Sequence, residues 1–156
     1  MALRIRTAVP KDETRIRELF LEMLQTIFPD RDAEGYEDGY LDRFWNGTEN
    51  RIFVAEDDDV IAFLSAEVHT EPVKYIYLDD FSVTAAYRNR GIGTALIRMA
   101  EAYAEEKSAS AVLLHVEKTN ISAMRLYERH KYSVFRDDGN RLLLKKDTAQ
   151  QRAQTV

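Results

Sequence analysis

The chain has 156 residues, 45% apolar and 31% charged, which is ordinary globular composition for one core and excludes collagenous, low-complexity and wholly disordered chains. With no cysteine, disulfides, thiolate metal sites and a cysteine nucleophile are excluded, and the scattered His69, His115 and His130 lack metal-ligand spacing, so no metal is expected. The net charge of −5 argues against a nucleic-acid partner, no apolar run reaches the roughly 18–20 residues that cross a bilayer, and Met1 to Arg6 lacks a signal-peptide core; the expectation is a cytoplasmic protein without a membrane partner.

In chain order, Leu3, Ile5 and Thr7 alternate with Arg4 and Arg6, a half-buried strand. Asp12 is placed to cap a helix whose stripe is Ile16, Leu19, Phe20, Met23, Leu24 and Ile27, stopped by Pro29. A polar loop follows, then a short helix around Tyr36–Asn46. Arg51–Glu56 and Val60–His69 read as a hairpin turning at Asp57–Asp59. Val73–Val83 reads as a long strand, and Ile92 to about Lys107 as an amphipathic helix. Ala111–Val116 is a short interior strand, Asn120 caps a further helix, and Ser133–Phe135 with Arg141–Lys145 form a last hairpin around Asp137–Asn140. The order predicts an α/β (α+β) fold: a mixed, mostly antiparallel sheet of about seven strands flanked by about four helices. Residues 1–147 form one domain, and 148–156 read as a frayed polar tail.

Charge is uneven. Residues 30–59 hold eleven acids against three bases, a local charge of −8 that leaves +3 for the remainder. One part of the molecule can attract a cation while another receives an anion, unless the acids are simply a solvated face.

The most informative stretch is Val83 to Leu96, where a strand enters and a helix leaves. Gly91 and Gly93 allow a tight turn, the first amides of the helix point outward together, and the helix dipole adds partial positive charge. Arg88 and Arg90 add full charges beside this anion cradle. A dinucleotide fingerprint needs a third small residue where Leu96 stands, and a Walker loop needs a Gly-Lys-Ser/Thr that is absent.

Arg88-Asn89-Arg90-Gly91-Ile92-Gly93 resembles the (Gln/Arg)-x-x-Gly-x-(Gly/Ala) motif of the GCN5-related N-acetyltransferase (GNAT) superfamily, and Asn120, Ala123, Leu126 and Tyr127 fall on its Asn-x-x-Ala-x-x-Leu-Tyr pattern. The resemblance implies the family fold, with the sheet splayed between the strands at 73–83 and 111–116, and acetyl-CoA as co-substrate. By the same resemblance, main-chain groups along Arg88, Asn89, Arg90, Gly91, Ile92, Gly93 and Thr94 hold the pyrophosphate, with Arg88 amide among the donors. Phe81, Ser82 and Val83 pair with the pantetheine arm, and a main-chain N–H near Val83 serves as oxyanion donor. Asn120 touches that arm besides capping its helix. Family members include homodimers, although the sequence carries no interface signal. One departure stands out: the family's usual Gly-Phe after the second helix is Lys131-Tyr132 here, so the left-handed cap falls on a lysine.

Acetyl transfer to an amine requires loss of an amine proton, a donor to the oxyanion and a donor to the leaving thiolate. The resemblance implies Tyr127 as thiolate donor and a carboxylate at Asp79 or Asp80 as base, Asp79 being favoured. His115 and Glu117 are alternatives. Tyr36, Tyr40, Phe44 and Trp45, interleaved with Glu37, Asp38 and Asp42, suit a cationic acceptor: a small primary amine or a peptide amine. A non-catalytic acyl-CoA-binding or regulatory module on the same fold is the alternative class.

Overall fold

The computed structural model describes residues 3–149 and 151. The predicted alternation at the start becomes strand β1 (Arg4–Thr7), and the apolar stripe becomes helix α1 (Glu13–Ile27). The acidic turn joins β2 (Arg51–Asp57) to β3 (Asp59–His69), with Asp58 left-handed at φ 62°. Then follow β4 (Tyr75–Val83), α2 (Ile92–Glu106), β5 (Ala111–Glu117), α3 (Ile121–Arg129), β6 (Ser133–Asp137) and β7 (Arg141–Asp147). The sheet order is β1-β2-β3-β4-β5-β7-β6. The β4–β5 pair is parallel, running from Ile76↔Val112 to Leu78↔Leu114. The β1–β2, β2–β3, β5–β7 and β6–β7 pairs are antiparallel. This is the mixed, mostly antiparallel seven-stranded sheet expected. Among the described residues the α-helices number three rather than about four. The stretch expected as a fourth forms only a 3-10 turn, Tyr40–Phe44, entered through left-handed Gly39.

The chain divides into two compact units. The first comprises residues up to Ala66 with Asp80–Ala100. Its core gathers Ile16 and Leu19 of α1, Leu41, Phe44 and Trp45 of the following turn, and Ile52, Val54, Val60 and Phe63 of the hairpin. Residues Ile52–Ala55 and Val60–Ala66 are buried on both strand faces, which explains their near-continuous apolar sequence. The second unit comprises Glu67–Asp79 with the chain from Glu101 onward. It buries Ile76, Leu78, Tyr103, Val112, Leu114, Val116, Tyr132 and Leu143.

Asp12 departs from its expected role. It makes no side-chain cap to α1. Its carboxylate instead accepts from Val9 amide at 2.8 Å and from the Arg6 guanidinium at 2.8 and 3.0 Å, while Arg6 also donates to Glu56. A buried carboxylate with a bidentate arginine partner is worth more to the fold than one helix cap. Lys131 adopts the left-handed conformation, φ 72°, and around it His130 amide donates to Leu126 carbonyl at 3.2 Å and Tyr132 amide to Tyr127 carbonyl at 3.0 Å. The helix ends as a glycine would end it, with the Cβ penalty retained. Of the expected tail, 150 and 152–156 lie outside the described residues. Thr148 is not frayed: it is buried, and its hydroxyl donates to Ala109 carbonyl at 2.8 Å. No described helix is long and apolar enough to cross a membrane.

Two outcomes follow from these departures. Lys131→Gly relieves left-handed strain of ~1–2 kcal/mol and gives back some unfolded-chain entropy, for a net stabilisation of about 0.5–1 kcal/mol in denaturant titrations. Asp12 is held below the ordinary carboxyl range, chiefly by its hydrogen bond from Arg6. A depressed folded-state value means stability present above the unfolded value and lost as pH falls through the folded one. Thermal melts from pH 6 to pH 3 therefore fall more steeply for the wild type than for Asp12→Asn.

Candidate functional site

The strand-to-helix bend lies in the first unit. Thr84 leaves β4 with extended backbone, and a 3-10 turn, Ala85–Tyr87, follows. Asn89 and Gly91 are both left-handed, at φ 62° and 79°. Asparagine tolerates this conformation and glycine adopts it freely. Gly93 serves a different purpose: a Cβ there would meet Phe81 Cζ at 3.0 Å, so its absence lets the first turn of α2 lie against the strand. Ala95 amide donates to Gly91 carbonyl at 3.1 Å, a first helical bond. Residues Arg88–Gly91 are exposed, and Ile92 is buried.

Three details refine the expected cradle. Arg88 amide already donates to Ala85 carbonyl at 3.3 Å, and Arg88 Nε donates to Val83 carbonyl at 2.9 Å; this arginine ties the bend to the strand end. Arg90 lies over the Tyr87 ring at 5.3 Å. The Ile92 side chain belongs to the core, so only its main chain can serve a ligand.

Of the two acids expected near the reaction, Asp79 is exposed and Asp80 half-buried. Asp80 amide donates to Ser65 Oγ at 2.9 Å, and its Oδ2 accepts from Tyr36 hydroxyl at 2.6 Å. The Tyr36 ring is stacked between Phe20, at 3.8 Å, and Tyr40, at 4.8 Å. Arg43 covers Tyr40 at 3.8 Å. Phe44 and Trp45 are core residues, 5% and 8% exposed. The rings expected to welcome a cation are thus already stacked, buried or covered by the chain's own arginine. The acidic turn is likewise engaged, Asp57 by Tyr87 hydroxyl at 2.7 Å and Asp59 by Arg15 at 3.2 Å. Glu34, Glu37, Asp38 and Asp42 remain exposed.

In the second unit, Asn120 caps α3 as expected, its Oδ1 accepting from Ala123 amide at 3.2 Å. Tyr127 is half-buried, with Tyr132 edge-on at 5.9 Å. Burial pushes its phenol up to about 12, so the hydroxyl keeps its proton across the neutral range. Lys118 is held by Asp137 at 2.8 Å, and Glu117 is exposed at the end of β5.

His115 sits in a hydrogen-bonded chain whose other members the sequence did not single out. Its Nδ1 lies 2.6 Å from Tyr77 hydroxyl and its Nε2 lies 2.7 Å from Asp138 Oδ2. Asp138 Oδ1 accepts from Arg136 Nε at 2.6 Å. The Arg136 and His115 hydrogen bonds hold the Asp138 carboxyl down to about 2. An ionised carboxylate can only accept, so His115 carries a hydrogen on Nε2 toward Asp138; with no hydrogen on Nδ1, that nitrogen accepts from Tyr77. Strand register builds this chain: His115 and Arg136 both lie opposite Leu143, and the hairpin turn returns Asp138 to them. In the sequence Asp138 reads only as a turn residue; a histidine within an apolar strand is the one signal that points here.

The sequence profile of the acetyltransferase (GNAT) family matches residues 15–132. A mycothiol acetyltransferase of Corynebacterium glutamicum is 27% identical over 90 residues, covering 58% of this chain and 30% of that protein; the chain thus spans about a third of that relative's length. The crystal structure of PaiA N-acetyltransferase from Thermoplasma acidophilum in complex with coenzyme A aligns with a TM-score of 0.77 at 18% identity, covering 94% of this chain and 99% of that one. Arabidopsis thaliana NAA60 in complex with a bisubstrate analogue aligns with a TM-score of 0.75 at 23% identity, covering 95% and 99%. With its profile matched over most of its length and its sheet order and motifs in place, the chain belongs to the acetyltransferase (GNAT) family.

Proposed function

We propose that this chain is an acetyl-CoA-dependent N-acetyltransferase that moves an acetyl group to a primary amine by direct attack in a ternary complex, with residues 1–147 as one such domain in the cytoplasm. The observation that carries the reading is the bend from Val83 to Thr94. Its left-handed Asn89 and Gly91, exposed Arg88–Gly91 and the start of a fifteen-residue helix fit a diphosphate, through main-chain donors and a helix dipole. The family match, which runs through both compact units, supports a single domain.

In this reading the main chain from Asn89 to Thr94, with Arg90 beside it, holds the diphosphate. Phe81, Ser82 and Val83 lie past the Leu78 end of the β4–β5 ladder and receive the pantetheine arm as an added strand; the family resemblance alone adds Asn120 as a contact to that arm. The bound acetyl-CoA supplies a thioester: the new amide C–N bond forms as its C–S bond breaks. The amine must first shed a proton, since an alkylammonium of pKa ~10.4 is only about one part in a thousand neutral at pH 7.4. The Tyr77–His115–Asp138 chain is assigned that proton. Tyr77 oxygen takes it while passing its own hydrogen to Nδ1, and Asp138 stabilises the resulting imidazolium. Asp79 is the competing base, favoured by its exposure two residues beyond Tyr77 on the same strand face. Asp80 is less suited, its carboxylate being engaged by Tyr36. Tyr127, whose phenol is raised to about 12 and so keeps its hydrogen at neutral pH, donates a hydrogen bond to the leaving thiolate. The acceptor is a small cationic amine or a peptide amine, and the exposed Glu34, Glu37, Asp38 and Asp42 support a cation.

Thiol release from acetyl-CoA across a panel of polyamines, aminosugars and peptides tests the reading: cationic amines are acetylated in preference to neutral or acidic acceptors. Coenzyme A binding without acetylation of any amine would favour the non-catalytic module. Tyr127→Phe lowers kcat by about 10²-fold with coenzyme A affinity unchanged in calorimetry. His115→Asn lowers kcat by a similar factor, whereas Asp79→Asn leaves it within about threefold; the reverse ranking assigns the base to Asp79.

A further inference from the structure

The bend that the proposed cofactor must meet is tied to two carboxylates from earlier in the chain, Glu22 and Asp57. Glu22 belongs to α1, 62 residues before Thr84 in chain order. Thr84 Oγ1 donates to its carboxylate at 3.0 Å and Ala85 amide at 3.3 Å. Thr84 makes no side-chain cap to the 3-10 turn it precedes; Glu22 supplies the acceptor that an N-cap side chain ordinarily provides. At the other end of that turn, Tyr87 hydroxyl donates to Asp57 Oδ2 at 2.7 Å, raising the Tyr87 phenol above its usual range. The ring so fixed is the shelf on which Arg90 lies. Thr84 amide, donating to Ile61 carbonyl at 2.9 Å, completes the attachment to the first unit.

This arrangement carries an electrostatic penalty. Two carboxylates bond residues that lead into a loop that is to receive an anion, and Coulomb repulsion weakens its hold on a diphosphate. Fold stability alone does not require carboxylates here, since neutral acceptors bond the same donors. What both pairs accomplish is to fix the two ends of the turn that leads into left-handed Asn89 and Gly91.

We propose that Glu22 and the Asp57–Tyr87 pair are positioning residues for the diphosphate cradle, acting through hydrogen-bond geometry rather than charge. The inference rests on the coenzyme A reading above and deepens it. Geometry and charge separate cleanly at Glu22. Glu22→Gln keeps an oxygen acceptor for Thr84 and Ala85 and removes the charge; Glu22→Ala removes both. Tyr87→Phe keeps the shelf ring and removes the bond to Asp57.

The experiment is calorimetric titration of the purified full chain with coenzyme A, paired with thermal melts of each protein without ligand. Glu22→Ala weakens binding about tenfold and Tyr87→Phe several-fold, while Glu22→Gln binds as tightly as wild type or up to about threefold tighter. Circular dichroism at the titration temperature verifies that each variant is folded, and a folded Glu22→Ala that binds like wild type overturns the proposal. So does Glu22→Gln weakening binding as much as Glu22→Ala, which would assign the effect to charge. Wild-type protein that binds no coenzyme A defeats the cofactor reading itself, a result distinct from both.

Discussion

Everything proposed for this chain depends on how its backbone turns from a strand into a helix between Val83 and Ile92. Left-handed backbone at Asn89 and Gly91 is required for the main chain to double back there, and Gly93 must lack a Cβ for α2 to begin against Phe81. These are separate steric demands met by neighbouring residues. The first amides of a helix have no acceptor earlier in the helix. The proposed anion cradle is thus a by-product of the turn's geometry, which is why it is legible in so few residues.

Charge plays a different part from the one its distribution suggests. A segment at −8 invites a steering argument, but three of its eleven acids have internal partners: Glu56 with Arg6, Asp59 with Arg15 and Asp57 with Tyr87. The aromatic side chains interleaved with it are stacked or buried. Short hydrogen bonds of ordered groups outweigh diffuse attraction at a surface where salt screens beyond roughly 8–10 Å. The cationic preference proposed for the acceptor therefore rests on Glu34, Glu37, Asp38 and Asp42, which stay exposed.

How much was legible follows the range of the interactions. The strands, the three helices, the Asn120 cap and the bend are local, fixed by alternation, helical spacing and residues within a few positions, and they read correctly. The short helix expected at Tyr36–Asn46 did not, because left-handed Gly39 and the burial of Leu41 and Phe44 favour a tighter turn. Asp12 had the residue type of a cap but found a stronger partner in Arg6. The associations that the sequence does not announce are long-range: Tyr77 with His115 across a parallel pair, Asp138 reaching His115 from a hairpin turn, Tyr36 with Asp80, Glu22 with Thr84. Each depends on strand register or helix placement, which residue type alone does not specify. Lys131 is a case where the sequence posed the right question. Its left-handed backbone is present, with the lysine bearing the strain.

The central claim is that the bend itself grips the diphosphate, and backbone amide NMR during a coenzyme A titration tests it most directly. The account predicts that the largest shift changes fall on the amides of Asn89 to Thr94, saturating together at one stoichiometric equivalent. Saturable binding that leaves those amides unmoved while others shift would contradict it.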